Sequence, residues 1–186
     1  MNDMTPVDVT VNGRTYPESS TCAIAICLDG CEPAYLDAAI ADGLMPTLAR
    51  MRATGTDRLA HSVIPSFTNP NNMSIATGRP PSVHGICGNF LYDPDTGEEV
   101  MMNDPKFLRA PTVFKAFYDA GQKVAIVTAK DKLRALLGHG LAFDDVRAIC
   151  FSSERSDTTS KAEHGIDNAA GWLGRDVPEV YSAELS

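Results

Sequence analysis

The residues best suited to chemistry lie in and around one stretch, VIPSFTNPNNMSIATGRPPSVHGICGN, residues 63–89, with Thr68 near its start. An apolar run (Leu59, Val63, Ile64) precedes Thr68, and a helix-like segment over 71–76 that Gly78 stops follows it, so the threonine is expected where a strand hands over to a helix. Unpaired N–H groups at a helix start carry partial positive charge and suit a phosphate oxygen. A hydroxyl placed there can attack phosphorus. Unaided, it is a poor nucleophile and needs a base or a metal. The position also suits Thr68 or Asn69 as a plain N-cap with no chemistry.

Other residues can supply what the hydroxyl lacks. Asp29 closes the apolar run 21–28, TCAIAICL. A carboxylate at the carboxyl end of a strand stands where open α/β sheets place their ligands, and beside Thr68 it could hold a metal; it could also serve only as a turn or cap residue before a helix started by Pro33. The Asn89 amide can donate to a phosphoryl oxygen without adding charge. Lys130 and Lys132 follow the apolar run 123–129, KVAIVTA. They form either a solvated turn or a pair of point charges on the rim that holds Asp29 and Thr68. His84, with a glycine on one side and a valine on the other, is read as a structural hydrogen-bonding group rather than a ligand.

Stepping outward, the elements that must position these residues form an α/β pattern. The runs 21–28, 58–64, 123–129 and 147–151 read as strands, with 21–28 and 123–129 buried on both faces as in a parallel sheet. Helices are expected over 33–41, 46–53, 112–120, 133–137 and 161–173, and another from 177. A short edge strand is expected over 7–11, a long loop over 79–89, and a turn between short strands over 92–97. Asp93 and Asp95 resemble the opening of a calcium loop, but the closing glutamate is missing, which excludes that site.

Composition narrows the partners. With 186 residues, 44% of them apolar and 22% charged, the chain suits one globular domain, and no run approaches a membrane span. The start MNDMTP lacks a basic and an apolar signal region, and the five cysteines are odd in number, so a cytoplasmic location is expected. Cys22 and Cys27 are expected as buried, inert thiols. A net charge of −8 excludes a nucleic-acid backbone as partner, so an anionic substrate would depend on a metal or a few local cations.

With these residues in hand, the chain resembles the alkaline phosphatase superfamily in its type I phosphodiesterase/nucleotide pyrophosphatase branch, and within it the phosphonoacetate hydrolases. The resemblance covers essentially the whole chain and rests on LDGCEP with Asp29, the stretch with Thr68 and Asn89, and TAKDKL with Lys130 and Lys132. The first two occur across the superfamily; the lysine pair points to phosphonoacetate. The resemblance implies a mainly parallel sheet with helices on both faces, of which this chain would be the N-terminal part. It also implies two zinc ions, with Thr68 as nucleophile and ligand of one zinc and Asp29 as another ligand of that zinc. Asn89 resembles the residue that holds a phosphoryl oxygen, and Lys130 and Lys132 those that bind the substrate carboxylate. The implied partner is a small anionic phosphonate, with no nucleic acid and no membrane, and a homodimer is left open. The family's downstream Asp and His ligands have no counterpart in context here, where only His84, His139 and His164 follow Thr68, so the piece alone is expected to be inactive. Two readings compete: a nucleotide pyrophosphatase or phosphodiesterase of the same superfamily, and a non-catalytic α/β binding fragment.

Overall fold

A computed structural model describes residues 8–17, 21–143 and 147–174. It divides into two compact units, one of Ala23–Ser62 and one of Met1–Cys22 with Val63–Ser186.

The chain opens with a hairpin. Strands β1 (Val9–Val11) and β2 (Arg14–Tyr16) pair antiparallel, with Val9 opposite Tyr16. Asn12 and Gly13 join them at positive φ (52° and 71°), the geometry that matches the twist of a two-residue hairpin. Asn12 Nδ2 also donates to the Thr77 and Pro111 carbonyls at 2.9 and 2.8 Å, tying the hairpin to the body. The edge strand expected over 7–11 therefore has a partner that alternation alone did not reveal; Val7 lies outside the described residues.

Within Ala23–Ser62 are helices α1 (Pro33–Ala41) and α2 (Pro46–Thr54), each starting on a proline whose missing N–H costs nothing there. Arg52 pairs with Asp37 at 2.5 Å and Asp57 at 2.9 Å. The two strands expected over 21–28 and 58–64 do not form: neither run is a strand or a helix. Ile24 is 81% and Leu59 85% exposed. An interior strand exists only where neighbours take its N–H and C=O groups, and the described residues place no strand beside these runs. Cys22 and Cys27 are consequently exposed, not buried as expected; the buried thiol is Cys150, which burial pushes up to about 12.

The larger unit is built on α3 (Thr68–Thr77), which starts three residues before the expected helix because Pro70 fits its first turn. Gly78 stops it at φ 65°, in the left-handed region. Its buried positions, Asn69, Pro70, Met73, Ala76 and Thr77, recur at helical spacing and face the core. There Met73 and Ala76 meet Ile86, Met102 and Leu136, flanked by Phe107, Phe114 and Leu133. A one-turn helix, α4 (Pro81–His84), interrupts the expected loop. Strands β3 (Phe90–Asp93) and β4 (Glu98–Met101) then form an antiparallel hairpin, and Asp93 Oδ1 accepts the Asp95 N–H at 2.9 Å, a turn contact.

Helix α5 (Val113–Asp119) is capped by Thr112, whose hydroxyl accepts the Lys115 N–H at 3.0 Å. Strands β5 (Val124–Thr128) and β6 (Ala148–Ser152) pair in parallel, with a 3-10 turn (Asp131–Leu133) and α6 (Arg134–Leu137) between them. β6 alternates cleanly, burying Ala148, Cys150 and Ser152. β5 buries only Ile126 and leaves Val127 58% exposed, so it is not covered on both faces as expected. The helix expected over 161–173 is two, α7 (Lys161–His164) and α8 (Ala169–Leu173). Gly165 breaks it at φ 78°, where a Cβ would stand 2.1 Å from the Ala148 carbonyl oxygen. The helix expected from 177 lies outside the described residues. Among those described, no helix is long and apolar enough to cross a membrane.

Candidate active site

Thr68 is the first helical residue of α3, half-buried; the cap position is Phe67, which offers no side-chain bond. The plain N-cap reading of Thr68 and Asn69 therefore fails. Amides around the helix start hold it from both sides. Asn72 Nδ2 donates to the Thr68 carbonyl and Asn71 Nδ2 to the Phe67 carbonyl, both at 2.9 Å, while Asn71 Oδ1 accepts the Val63 N–H at 3.1 Å. The threonine is thus set on a hydrogen-bonded helix entry.

Asn89 comes to this point from the far end of the loop. Its Oδ1 accepts the Asn69 N–H at 3.1 Å, its backbone carbonyl accepts the Met102 N–H at 2.8 Å, and Asn69 Nδ2 donates to the Met102 carbonyl at 3.0 Å. These three bonds join helix start, loop end and the residue after β4 in one frame. Because the Asn89 carbonyl end is taken, its NH₂ end is the one left to donate. The same bond removes the Asn69 N–H from an incoming anion, and Pro70 has no N–H at all. The helix start therefore has fewer free N–H groups than its position implies.

Sequence reasoning took Asn69 only as a possible cap, whereas it is 1% exposed with its Oδ1 buried and lacking a hydrogen-bond partner, and it did not single out Met102. The single available signal was an asparagine before the proline of a helix start, which reads equally well as a cap.

His84 is fully buried and has the structural role expected of it. Its Nδ1 accepts the Ile86 N–H at 3.1 Å, which leaves Nε2 to carry the proton and donate to Ser74 Oγ at 3.0 Å. Ser74 in turn donates to the Pro70 carbonyl at 2.7 Å. Burial lowers the His84 pKa from its ordinary 6.5. The folded state therefore resists a proton that the unfolded chain accepts. His84 contributes stability that is fully present above pH 6.5 and is lost as pH falls from there through its depressed folded value. We expect the unfolding free energy to drop by up to about 1.4 kcal/mol per pH unit over that window, and His84→Asn, which keeps an acceptor, to lack this component. Urea melts of both proteins from pH 8 to pH 5 measure it; parallel slopes would refute it.

Lys130 and Lys132 stand together at the carboxyl end of β5, as the sequence implies, with Lys130 exposed and Lys132 half-buried. Asp29 belongs to the other unit. It sits in the turn after 21–28, next to Gly30 at φ 71°, and is exposed. The structure thus brings together Thr68 with Asn69 and Asn89, and Lys130 with Lys132. Neither the run before Asp29 nor the run before Thr68 is a strand, so neither residue stands at a strand end as expected. Among the described residues no three or more His, Cys, Asp or Glu side chains cluster in a way that could hold a metal ion.

Residues 23–174 match the model of the type I phosphodiesterase / nucleotide pyrophosphatase family. The chain belongs to that family. Two crystal structures of a phosphonoacetate hydrolase from Sinorhizobium meliloti 1021 are similar to it across 98% of its length. One, in complex with phosphonoformate, is 75% identical with a TM-score of 0.92; the other, in complex with phosphonoacetate, is 74% identical with a TM-score of 0.93. An uncharacterized pyrophosphatase/phosphodiesterase of Schizosaccharomyces pombe is 32% identical over 183 residues, 94% of this chain. The chain spans 44% of the Sinorhizobium structures and 34% of the yeast protein. Family membership fits the α/β arrangement, an alkaline-phosphatase-like fold of which the β5–β6 pair and its helices are a part. Family members are metal-dependent hydrolases.

Proposed function

We propose that this chain is part of a phosphonoacetate hydrolase, which cleaves the carbon–phosphorus bond to give acetate and phosphate through a phosphothreonine at Thr68. One observation carries the reading: the lysine pair ends a parallel strand in a chain 75% identical to a protein crystallised with phosphonoformate. The Thr68 hydroxyl oxygen attacks phosphorus, the C–P bond breaks, and its electron pair passes to the methylene carbon. That charge spreads into the carboxylate as an enolate-like dianion, which takes up a proton to become acetate. Water then releases phosphate from Thr68. Asn89 donates from its NH₂ group to a phosphoryl oxygen, and Lys130 and Lys132 bind the carboxylate, on which negative charge grows as the bond breaks.

The metal is zinc in this reading, with Asp29 and Thr68 as ligands. Their chemistry fits: an anionic carboxylate and a hydroxyl that loses its proton readily beside a cation. Bound zinc would lower the pKa of the Thr68 hydroxyl and so supply the nucleophile that a bare threonine lacks. Two oxygen donors fall short of the three or four protein ligands zinc takes, so the full site draws on further donors, and this chain by itself binds zinc weakly. The exposed apolar run 21–28 supports placing the chain within a larger catalytic domain, where that run would gain strand neighbours. The odd cysteine count supports a cytoplasmic location.

A steady-state comparison of phosphonoacetate with an aryl phosphodiester tests the assignment. Zinc-dependent release of phosphate from phosphonoacetate, well above diester turnover, is expected; the reverse preference would make the protein a phosphodiesterase or nucleotide pyrophosphatase instead. Zinc content of the purified protein, measured by mass spectrometry, should fall by at least half in the Asp29→Ala/Thr68→Val double variant, and unchanged content would refute the ligand assignment.

A further inference from the structure

An acid stands between the two lysines, and its placement decides what they can do. An unmatched carboxylate at that position would neutralise much of their attraction for an anion. Asp131 Oδ1 accepts from Arg134 Nε at 2.7 Å and from Ser152 Oγ at 3.0 Å, so its charge is matched within the protein by a guanidinium and a buried serine. The Asp131 N–H donates to Glu154 Oε2 at 2.7 Å. One residue earlier, the Ala129 carbonyl accepts both the Glu154 N–H at 3.2 Å and Ser153 Oγ at 3.1 Å. The three residues at the end of β6 thus hold the three residues that follow β5, and Lys130 is the middle one of these. On the far side, Arg134 opens α6, so the anchor is in a helix and not in the loop itself.

We propose that Asp131, with Ser152 and Glu154 at the end of β6, is a clamp that positions Lys130 and Lys132 for the substrate carboxylate. This rests on the reading of the lysines given above and adds to it the residues that make them selective. A lysine side chain is rich in rotamer freedom, and a flexible turn would lose much of the attraction in ordering two of them. A turn fixed by an aspartate and two serines loses less.

The test uses the full-length enzyme and two competitive inhibitors, phosphonoformate, which has a carboxylate, and inorganic phosphate, which has none. Asp131→Ala should weaken phosphonoformate about tenfold and inorganic phosphate less than threefold. Asp131→Asn, which keeps the oxygen that Ser152 and Arg134 bind, should recover at least half of that loss on a logarithmic scale. Glu154→Gln, which leaves the lysines and Asp131 unchanged, should give a smaller loss of the same selectivity. Equal weakening of both inhibitors in Asp131→Ala would mean that the residue only supports the fold and would overturn the clamp. Selective loss in Lys130→Ala and Lys132→Ala without any in the Asp131 and Glu154 variants would also overturn it, leaving the lysine reading intact. Absence of selective loss in the lysine variants themselves would refute that reading, and the clamp with it.

Discussion

Thr68→Val should remove turnover of phosphonoacetate by on the order of 10⁴-fold or more while leaving a folded protein. Valine matches threonine in shape and keeps the β-branch, so α3 keeps its first residue. The helix is capped at Phe67 without a side-chain bond, and the start of α3 is held by the Asn71, Asn72 and Asn89 amides, none of which the substitution touches. What disappears is the oxygen that attacks phosphorus in the proposed reaction. No neighbour can replace it: Asn69 and Phe67 carry no nucleophile, and Ser66 lies outside the helix, without its register. A capping threonine would behave in the opposite way, losing about 1 kcal/mol of stability and little rate. Thermal unfolding and single-turnover phosphate release, run on the same preparation of the full-length enzyme, separate the two. Residual activity of one-tenth or more of wild type would show that Thr68 is not the nucleophile.

The sequence made the helices and the chemistry-bearing residues readable for one reason and hid the sheet for another. Helix starts at Pro33, Pro46 and Thr112 and stops at Gly78 and Gly121 are local events, decided by a proline, a hydroxyl or a glycine within a turn of the chain. The β3–β4 hairpin is similarly local, since Asp93 and Gly97 set its turn. The run TCAIAICL has the composition of a buried strand, but a strand is a property of two neighbours, and no strand lies beside it among the described residues. The same limit applies to Asn89. Its amide could be singled out by type, but the bond from the Asn69 N–H that orients it crosses 20 residues of loop. Asn69 itself could be read only as a cap, because a polar residue buried by distant packing carries no mark in its own neighbourhood. The division of α7 from α8 was missed for a related reason: Gly165 is required by the approach of the Ala148 carbonyl, a tertiary contact that helical periodicity does not encode.

Lys130→Ala and Lys132→Ala should each cut kcat/KM for phosphonoacetate by on the order of 10²-fold to 10³-fold, and for an aryl phosphate by less than about tenfold. The two substrates share the phosphoryl group, Thr68 and Asn89, and differ in where charge goes when the bond to phosphorus breaks. An aryl phosphate expels a phenolate, whose charge stays on its own ring and oxygen. Phosphonoacetate expels a carbanion, which is accessible only because the adjacent carboxylate takes the charge as it forms. A cation at that carboxylate therefore gains interaction between ground state and transition state, and the gain appears in kcat as well as in KM. If the lysines served only to attract an anionic substrate, KM would rise with kcat unchanged, and aryl phosphate would suffer alongside. Lys→Arg at either position keeps the charge but spreads it over a planar fork, so it should restore KM better than kcat. A uniform loss across both substrates would place the lysines at the phosphoryl group or in the scaffold, and the assignment to carbon–phosphorus chemistry would lose the residues that distinguish it from ester hydrolysis.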